Sequence, residues 1–409
     1  MKGSGEAAMR HLVKLTVTFM ALLLLTGCWS RKELNELSIA SALGIDKHGD
    51  KYTLSVQIVN PSVITTVTGN NGIALPVVTR DITSTETLFA ALREVTRIAS
   101  RKVYASHIQM LVIGEELARE GIAPALDFLS RDHAMRTDFF IIVAKQTTAE
   151  NILKILTPLD NIPSDHLHSS LIAAEKNWGG TTQINLHDLI YDLLSPGADP
   201  VLAALRIKGD TRAGALKSNT ARITPAALLS YEGLGAFDND RLVSWYTPQE
   251  TKAYNFLKGK IKSVPVSMSC PGGGKATIEI FRSGRKMKGS IVDGQPQASV
   301  HIKAEANVAD LECERPLSNL AAMKDMEQAA AQNIEAFIKA AIHKSQQLKT
   351  DSFGFGDMIY RSRPKQWKKI SKEWKSVYFP KLKVDVVANI KIGGTGSVTD
   401  SFLPKMKEK

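Results

Sequence analysis

Aromatic residues make up only 6% of this 409-residue chain, which argues against a carbohydrate-binding or base-stacking surface. Long apolar runs are missing too. The most prominent, Leu15 to Leu25, is 11 residues, roughly half of what is needed to cross a hydrocarbon core. A permanent span is not expected, and no later segment approaches one. Cysteine is scarce, with Cys28, Cys270 and Cys313 the full set. Once Cys28 is assigned below, only one intramolecular bridge is available. In an exported protein Cys270 and Cys313 can pair, or stand as two separate buried thiols; spacing decides neither.

Catalytic signatures are also absent. Ser269-Cys270-Pro271-Gly272-Gly273-Gly274-Lys275-Ala276 approaches a phosphate loop but has Ser269 and Ala276 where glycine and a hydroxyl are required. A turn between strands is the expectation. Asp46-Lys47-His48-Gly49-Asp50 resembles a calcium loop, yet Lys51 replaces its glycine and Gln57 its closing glutamate; a hairpin turn is expected. Asp160, Asp165, His166 and His168 are the densest group of metal-ligand types, with both histidines placed on one face of a strand. Nothing like His-Glu-x-x-His accompanies them, so the default is a polar loop without metal. No Gly-x-Ser-x-Gly elbow and no paired carboxylates stand out. Together these failures favour binding or assembly over catalysis: no catalytic residue, metal or cofactor is assigned.

What is present lies first at the N-terminus. Arg10, His11 and Lys14 lead into the apolar run, and Leu25-Thr26-Gly27 then precedes Cys28. A positive region, an apolar segment and a small-residue cut site form a secretory signal; the cysteine makes it a bacterial lipobox. Residues 1–27 are expected to be removed, leaving Cys28 with a diacylglycerol and an N-acyl chain. Met9 is a second credible start, since it shortens the signal to a more usual length. The formal charge is +11, of which residues 1–27 carry +2. A body of about +9 suits an anionic bilayer, where each nearby Lys or Arg contributes roughly 1 kcal/mol. Nucleic acid would suit the charge but is remote from an exported lipoprotein.

Beyond the signal the pattern is α+β: three mixed domains forming a soluble body behind the lipid anchor. The expected division is 28–205, an α/β domain; 206–262, a small β-rich unit; and 263–400, a sheet with a long helix. Tyr52, Leu54, Val56 and Ile58 alternate with polar residues as a half-buried strand does. Thr83 with Glu86 has capping-box spacing and opens a helix. Ile108–Ile113 and Phe139–Ala144 read as buried strands separated by helices. Residues 160–199 look irregular. Asn319–Leu348 carries Ile334, Phe337, Ile338 and Ala341 at helical spacing, and Leu382–Ile392 alternates as a strand. Between Arg361 and Lys383 nine Lys and Arg face only Glu373. Trp367 and Trp374, seven apart, fit one helix face. A basic platform for lipid or an acidic partner is one reading; a solvated basic face over a tryptophan core is the favoured one.

Several blocks resemble the Ger(x)C family, the lipoprotein C subunits of bacterial spore germinant receptors. They are Gly27-Cys28-Trp29, Glu33-Leu34-Asn35-Glu36-Leu37, Gly44-Ile45-Asp46, Tyr104-Ala105-Ser106-His107, Val112 to Gly121, and Leu126 to Leu129. Gly235-Ala236-Phe237, Leu242 to Trp245, Phe353-Gly354-Phe355-Gly356, Tyr360-Arg361 and Pro364 with Trp367-Lys368 complete the set. They run from Cys28 to about residue 393 in the family's order. The resemblance implies a non-enzymatic subunit with three mixed α/β domains. It would act with integral membrane A and B subunits on the outer face of the spore inner membrane, in nutrient-triggered germination. Only the lipid-bearing cysteine transfers as a functional position. Ser30 stands where the family has an acidic residue, which puts a charge-based sorting signal in doubt. A solute-binding lipoprotein of an importer is the alternative; its two hinged lobes fit the β-rich second half poorly. An exported hydrolase has no motif in its favour.

Overall fold

A computed structural model describes residues 3–24, 37–59, 77–84, 87–99, 101–132, 135–269, 274–312 and 320–394. Helix α1 (Gly3–Leu24) contains most of the apolar run. Among the described residues no helix is long and apolar enough to cross a membrane. The lipobox, Leu25, Thr26, Gly27 and Cys28, lies outside them, as do Cys270 and Cys313.

The body is built on two sheets. The first holds nine strands: β1 (Leu37–His48), β2 (Lys51–Val59), β3 (Val77–Ser84), β4 (Lys102–Tyr104), β5 (Met110–Ile113), β6 (Phe140–Ala144), β7 (Val201–Gly209), β8 (Ala227–Asp238) and β9 (Arg241–Tyr246). Their order is β3-β2-β1-β5-β6-β7-β8-β9, with β4 paired to β1. β1, β5, β6 and β7 run parallel at its centre, with antiparallel hairpins on either side. Parallel strands are covered on both faces, which is why Met110–Ile113 and Ile141–Ala144 are continuously apolar.

Leu43, Ile45, Leu111, Ile113, Ile141 and Val143 form one face of that centre. They pack under α2 (Leu88–Glu94), α3 (Glu115–Glu120), α4 (Ala123–Arg131) and α7 (Leu186–Leu194). The opposite face, with Ala42, Met110, Val112, Ile142 and Ala203, meets α5 (Ala149–Lys154), α6 (Pro163–Asn177) and α9 (Pro248–Lys258). A short helix, α8 (Thr211–Gly214), follows β7. Helix α9 carries the full capping box: Thr247 accepts from the Glu250 amide and Glu250 accepts from the Thr247 amide.

The second sheet is β10 (Val264–Ser269), β11 (Lys275–Val292), β12 (Gln295–Leu311) and β13 (Lys383–Gly394), in that order. Its inner face, including Ile278, Ile280, Val300, Ile302, Val386 and Ile390, packs on α10 (Leu320–Leu348) through Ile334, Phe337, Ile338 and Ala341. Helices α11 (Phe355–Ser362) and α12 (Pro364–Ile370) lead back to β13. The long helix, the β-rich stretch and the terminal strand fall where the sequence places them.

Several expectations change. The boundary at 205/206 falls inside β7, and β8 and β9 extend the first sheet by pairing onto it. The middle segment 206–262 therefore has no sheet of its own. Thr83 lies in β3 opposite Thr53 rather than capping a helix. The cap is Thr87, whose hydroxyl accepts from the Ala90 amide at 3.1 Å. Residues 160–199, expected to be irregular, contain α6 and α7. Trp367 lies in α12, but Trp374 follows in a separate turn. Both are buried, with ring centroids 5.1 Å apart.

Candidate functional site at the junction of the sheets

The polar groups singled out in the sequence mostly cap or brace structure. Asp46 is buried, and its two carboxylate oxygens accept from the Ala149 and Glu150 amides, capping α5 from another strand. Burial raises its pKa against those two bonds. The β1–β2 hairpin turns immediately after it, as expected for a turn rather than a calcium loop. Asp165, His166 and His168 lie in helix α6, not on a strand. His166 Nδ1 contacts Asp160 Oδ2 at 2.9 Å, whereas His168 stacks on Phe140 with centroids 5.1 Å apart. Among the described residues no three metal-ligand side chains converge. The failed phosphate loop supplies the last residue of β10, Ser269, and the first of β11, Lys275. Lys275 also meets Glu312, so the described neighbours of Cys270 and Cys313 both border the start of β11.

The densest polar cluster is one that residue spacing did not announce. Asp199 and Asp351, distant in sequence, join the loop before β7 to the turn after α10. Their backbones bond directly, Asp199 N–H to Asp351 C=O at 3.0 Å. Asp199 Oδ2 accepts from the Asp351 amide at 2.8 Å, and Oδ1 accepts from the Asn239 amide at 3.1 Å. Lys375 Nζ donates to Asp199 at 2.5 Å, Asp238 at 2.8 Å and Asn239 at 3.1 Å. Burial works against the ammonium, but the carboxylates outweigh it and hold Lys375 above its usual pKa.

The Asp351 carboxylate organises the Phe353-Gly354-Phe355-Gly356 segment. Oδ1 accepts from the Gly354 and Phe355 amides, and Oδ2 from the Gly356 amide and Trp374 Nε1, at 2.7–3.0 Å. The Phe355 and Gly356 amides are otherwise orphan donors at the start of α11. Burial, opposed by the Gly356, Phe355 and Trp374 donors and aided by the nearby Asp199 charge, pushes Asp351 up to about 6. Gly354 has φ +79°, a conformation that favours glycine. Gly197 lies against the Gly356 backbone; a Cβ there would meet the Gly356 carbonyl carbon at 2.3 Å. The Asp357 amide donates to Gly197 C=O at 2.8 Å, completing the seam.

A cavity of about 650 Å³ opens beside this seam, lined by Tyr191, Asp192, Lys258, Phe353, Asp357 and Arg361 among others. Arg361 pairs with Asp357 at 2.9 Å and lies over the Tyr191 ring. Burial lowers the Lys258 pKa, against the pull of Asp192 and Asp351. The arrangement clamps one sheet to the other. The basic run 361–383 divides around it: Lys365, Lys368, Lys369 and Lys372 are exposed over the buried tryptophans, and Lys375 turns inward. That is the solvated face over a tryptophan core.

Two family models match the chain in order. The "Spore germination protein N-terminal domain" covers residues 30–207, and "Spore germination B3/ GerAC like, C-terminal" covers 232–396. "Spore germination protein KC" of Bacillus subtilis (strain 168) is 32% identical over 92% of this chain and 94% of its own length. "Spore germination protein B3" of the same organism is 24% identical over 90% and 94% respectively. Among solved structures, "Crystal Structure of the GerBC protein" aligns with a TM-score of 0.54 at 19% identity. It covers 89% of this chain and 99% of that one, a likeness of fold. The match to the KC protein covers 92% of the chain and the two family models take in most of both sheets, and the chain belongs to the Ger(x)C family of spore germination proteins.

Proposed function

We propose that the chain is the C subunit of a spore germinant receptor, a non-catalytic lipoprotein that acts with membrane A and B subunits in nutrient-triggered germination. The observation that carries this reading is the end-to-end match to Spore germination protein KC, spanning both family domains. The internal organisation agrees with an assembly role. The buried carboxylates of the seam are saturated with backbone N–H, indole and ammonium donors, an arrangement for holding a shape. Lipid on Cys28 would place the body on the outer face of the spore inner membrane, with no spanning helix required. An importer's binding protein needs two lobes that move about a hinge. Here apolar residues of both sheets share one core, which favours the receptor reading.

Deletion of the gene, or Cys28→Ala, should slow nutrient-triggered germination while leaving growth and sporulation intact. Metabolic labelling with a radioactive fatty acid should mark the wild-type chain and miss the Cys28→Ala chain. Unchanged nutrient response in a deletion strain cleared of paralogues would refute the receptor role.

A further inference from the structure

The face of the second sheet turned away from α10 is open and strongly basic. β11 contributes Arg282, Lys286 and Lys288 to it, β12 contributes His301 and Lys303, and β13 contributes Lys383 and Lys391. Glu305 and Asp385 lie among them, with Glu279 and Asp310 on the same face toward the β10 end. Arg282 pairs with Glu305 at 2.9 Å. Lys286, Lys288 and Lys303 make no ion pair or hydrogen bond among the described residues. The register sets Lys286 opposite His301 and Lys288 opposite Ser299, with Lys303 opposite Gly284. Like charges gathered across strands destabilise a sheet unless a counter-charge arrives.

These side chains frame a concavity of about 570 Å³ lined by Gly284, Lys286, Lys288, Ser299, His301 and Lys303, with Arg285 beside them and no carboxylate. Gly284 is the second observation. It sits mid-strand, where glycine marks a place that something approaches closely. A Cβ there would touch nothing within 4 Å, so its missing side chain leaves space that the protein does not fill. The concavity itself is lined by no phenylalanine, tyrosine or tryptophan on which a nucleobase could stack; the exposed Phe281 lies at the bulge beyond Arg282.

We propose that this face is a docking surface for an anionic phospholipid bilayer, with Lys286, Lys288 and Lys303 receiving a headgroup phosphate above Gly284. The proposal deepens the lipoprotein reading, because a body tethered at Cys28 is held where such headgroups are concentrated. It names the face that turns toward them. The exposed lysines of α12, Lys365, Lys368 and Lys369, serve as the internal comparison, being as numerous but lying over the buried Trp367.

The test uses the chain from residue 28 onward carrying Cys28→Ser, so that neither the apolar signal nor attached lipid holds it to vesicles. Co-sedimentation is measured with phosphatidylcholine vesicles and with vesicles that also contain phosphatidylglycerol. Binding that depends on phosphatidylglycerol is expected. It should fall on the order of a hundredfold at low salt in Lys286→Gln/Lys288→Gln/Lys303→Gln, if each lysine contributes its usual attraction. Gly284→Glu, which adds a carboxylate into empty space, should also weaken it with melting temperature retained. Lys365→Gln/Lys368→Gln/Lys369→Gln should bind nearly as the parent does. Equal loss in the two triple variants, or no preference for phosphatidylglycerol, overturns the proposal. So does saturable binding of inorganic phosphate at these lysines without vesicle binding, which would make the site one for free phosphate. Because the tested chain is unlipidated, such failures leave the Cys28 tether standing, and loss of the tether in cells leaves this result untouched.

Discussion

Asp351 illustrates how a single side chain can hold two regions together. Four N–H groups aim at its two oxygens, so Asp351→Asn would turn an amide N–H₂ toward donors whichever way it is flipped. Buried donors left facing one another cost about 1–3 kcal/mol per unsatisfied group. Thermal or urea unfolding should show a loss of that order, and a loss near zero would mean the seam contributes little. The same carboxyl sets a pH dependence. Its folded pKa, about 6, is above the ordinary value of 3.8, so the folded state binds this proton more tightly than the unfolded chain does. The contribution is therefore complete below about pH 4 and is lost as pH rises through 6, at most about 3 kcal/mol. Carbon-detected NMR titration of Asp351 should give a midpoint near 6. A midpoint below 4 would show that the four donors outweigh burial. Gly197→Ala tests the opposite bank of the seam: its Cβ would collide with backbone rather than a movable side chain. A drop of a few kcal/mol is expected, measured by the same unfolding assay.

Among the secondary-structure elements, legibility in the sequence follows how much of each was decided by its own pattern. The α10 stripe of Ile334, Phe337, Ile338 and Ala341 and the alternation in β13 show directly, because each buries one face against a regular partner. Helix α6 was hidden. Its residues Pro163–Asn177 include two histidines, three serines and an aspartate, and it buries only a narrow line through Leu167 and Leu171. Its first turn is held from outside the helix, where Gln57 of β2 accepts from the Ser164 amide at 3.0 Å. Thr83 misled for a related reason, since a threonine three residues before a glutamate fits a cap, yet its pairing with Thr53 won. The Asp199–Asp351 clamp is not legible because neither aspartate has a motif; only the contact between loop and turn in the fold gives them a role. In α10, Ile338→Ala should cost about 2–5 kcal/mol, because Ile338 is fully buried in the core between the sheets. Chemical denaturation would measure this, and a cost below 1 kcal/mol would show that the helix can settle into the space.

The two sheets of the whole molecule do not behave as separable bodies. One apolar cluster runs from Ala42, Met110 and Val112 of the first sheet through Tyr254, Phe256 and Leu257 of α9 to Val300, Ile302 and Phe337 of the second unit. Asp199, Asp351 and Lys375 then close its polar side. Cooperative unfolding follows from a shared core, so calorimetry of the intact chain should show one main transition. The family models divide this body between residues 207 and 232, a cut with a structural consequence. Residue 232 lies within β8, whose partner β7 belongs to the first segment. A fragment of residues 232–396 would keep β10 to β13 and α10 but lose β7 and the first part of β8. Helix α9 would lose its contacts with the first segment, where Asn255 Nδ2 donates to the Gly179 and Thr181 carbonyls, and the apolar cluster that both sheets share would be cut open. Exposed apolar surface of that extent is an association hazard. The fragment should therefore aggregate or show poorly dispersed amide resonances, and adding residues 37–231 in trans should recover dispersion. A monodisperse fragment with native-like dispersion would show that the second sheet folds without the first, and that the seam acts as a docking contact between independent units.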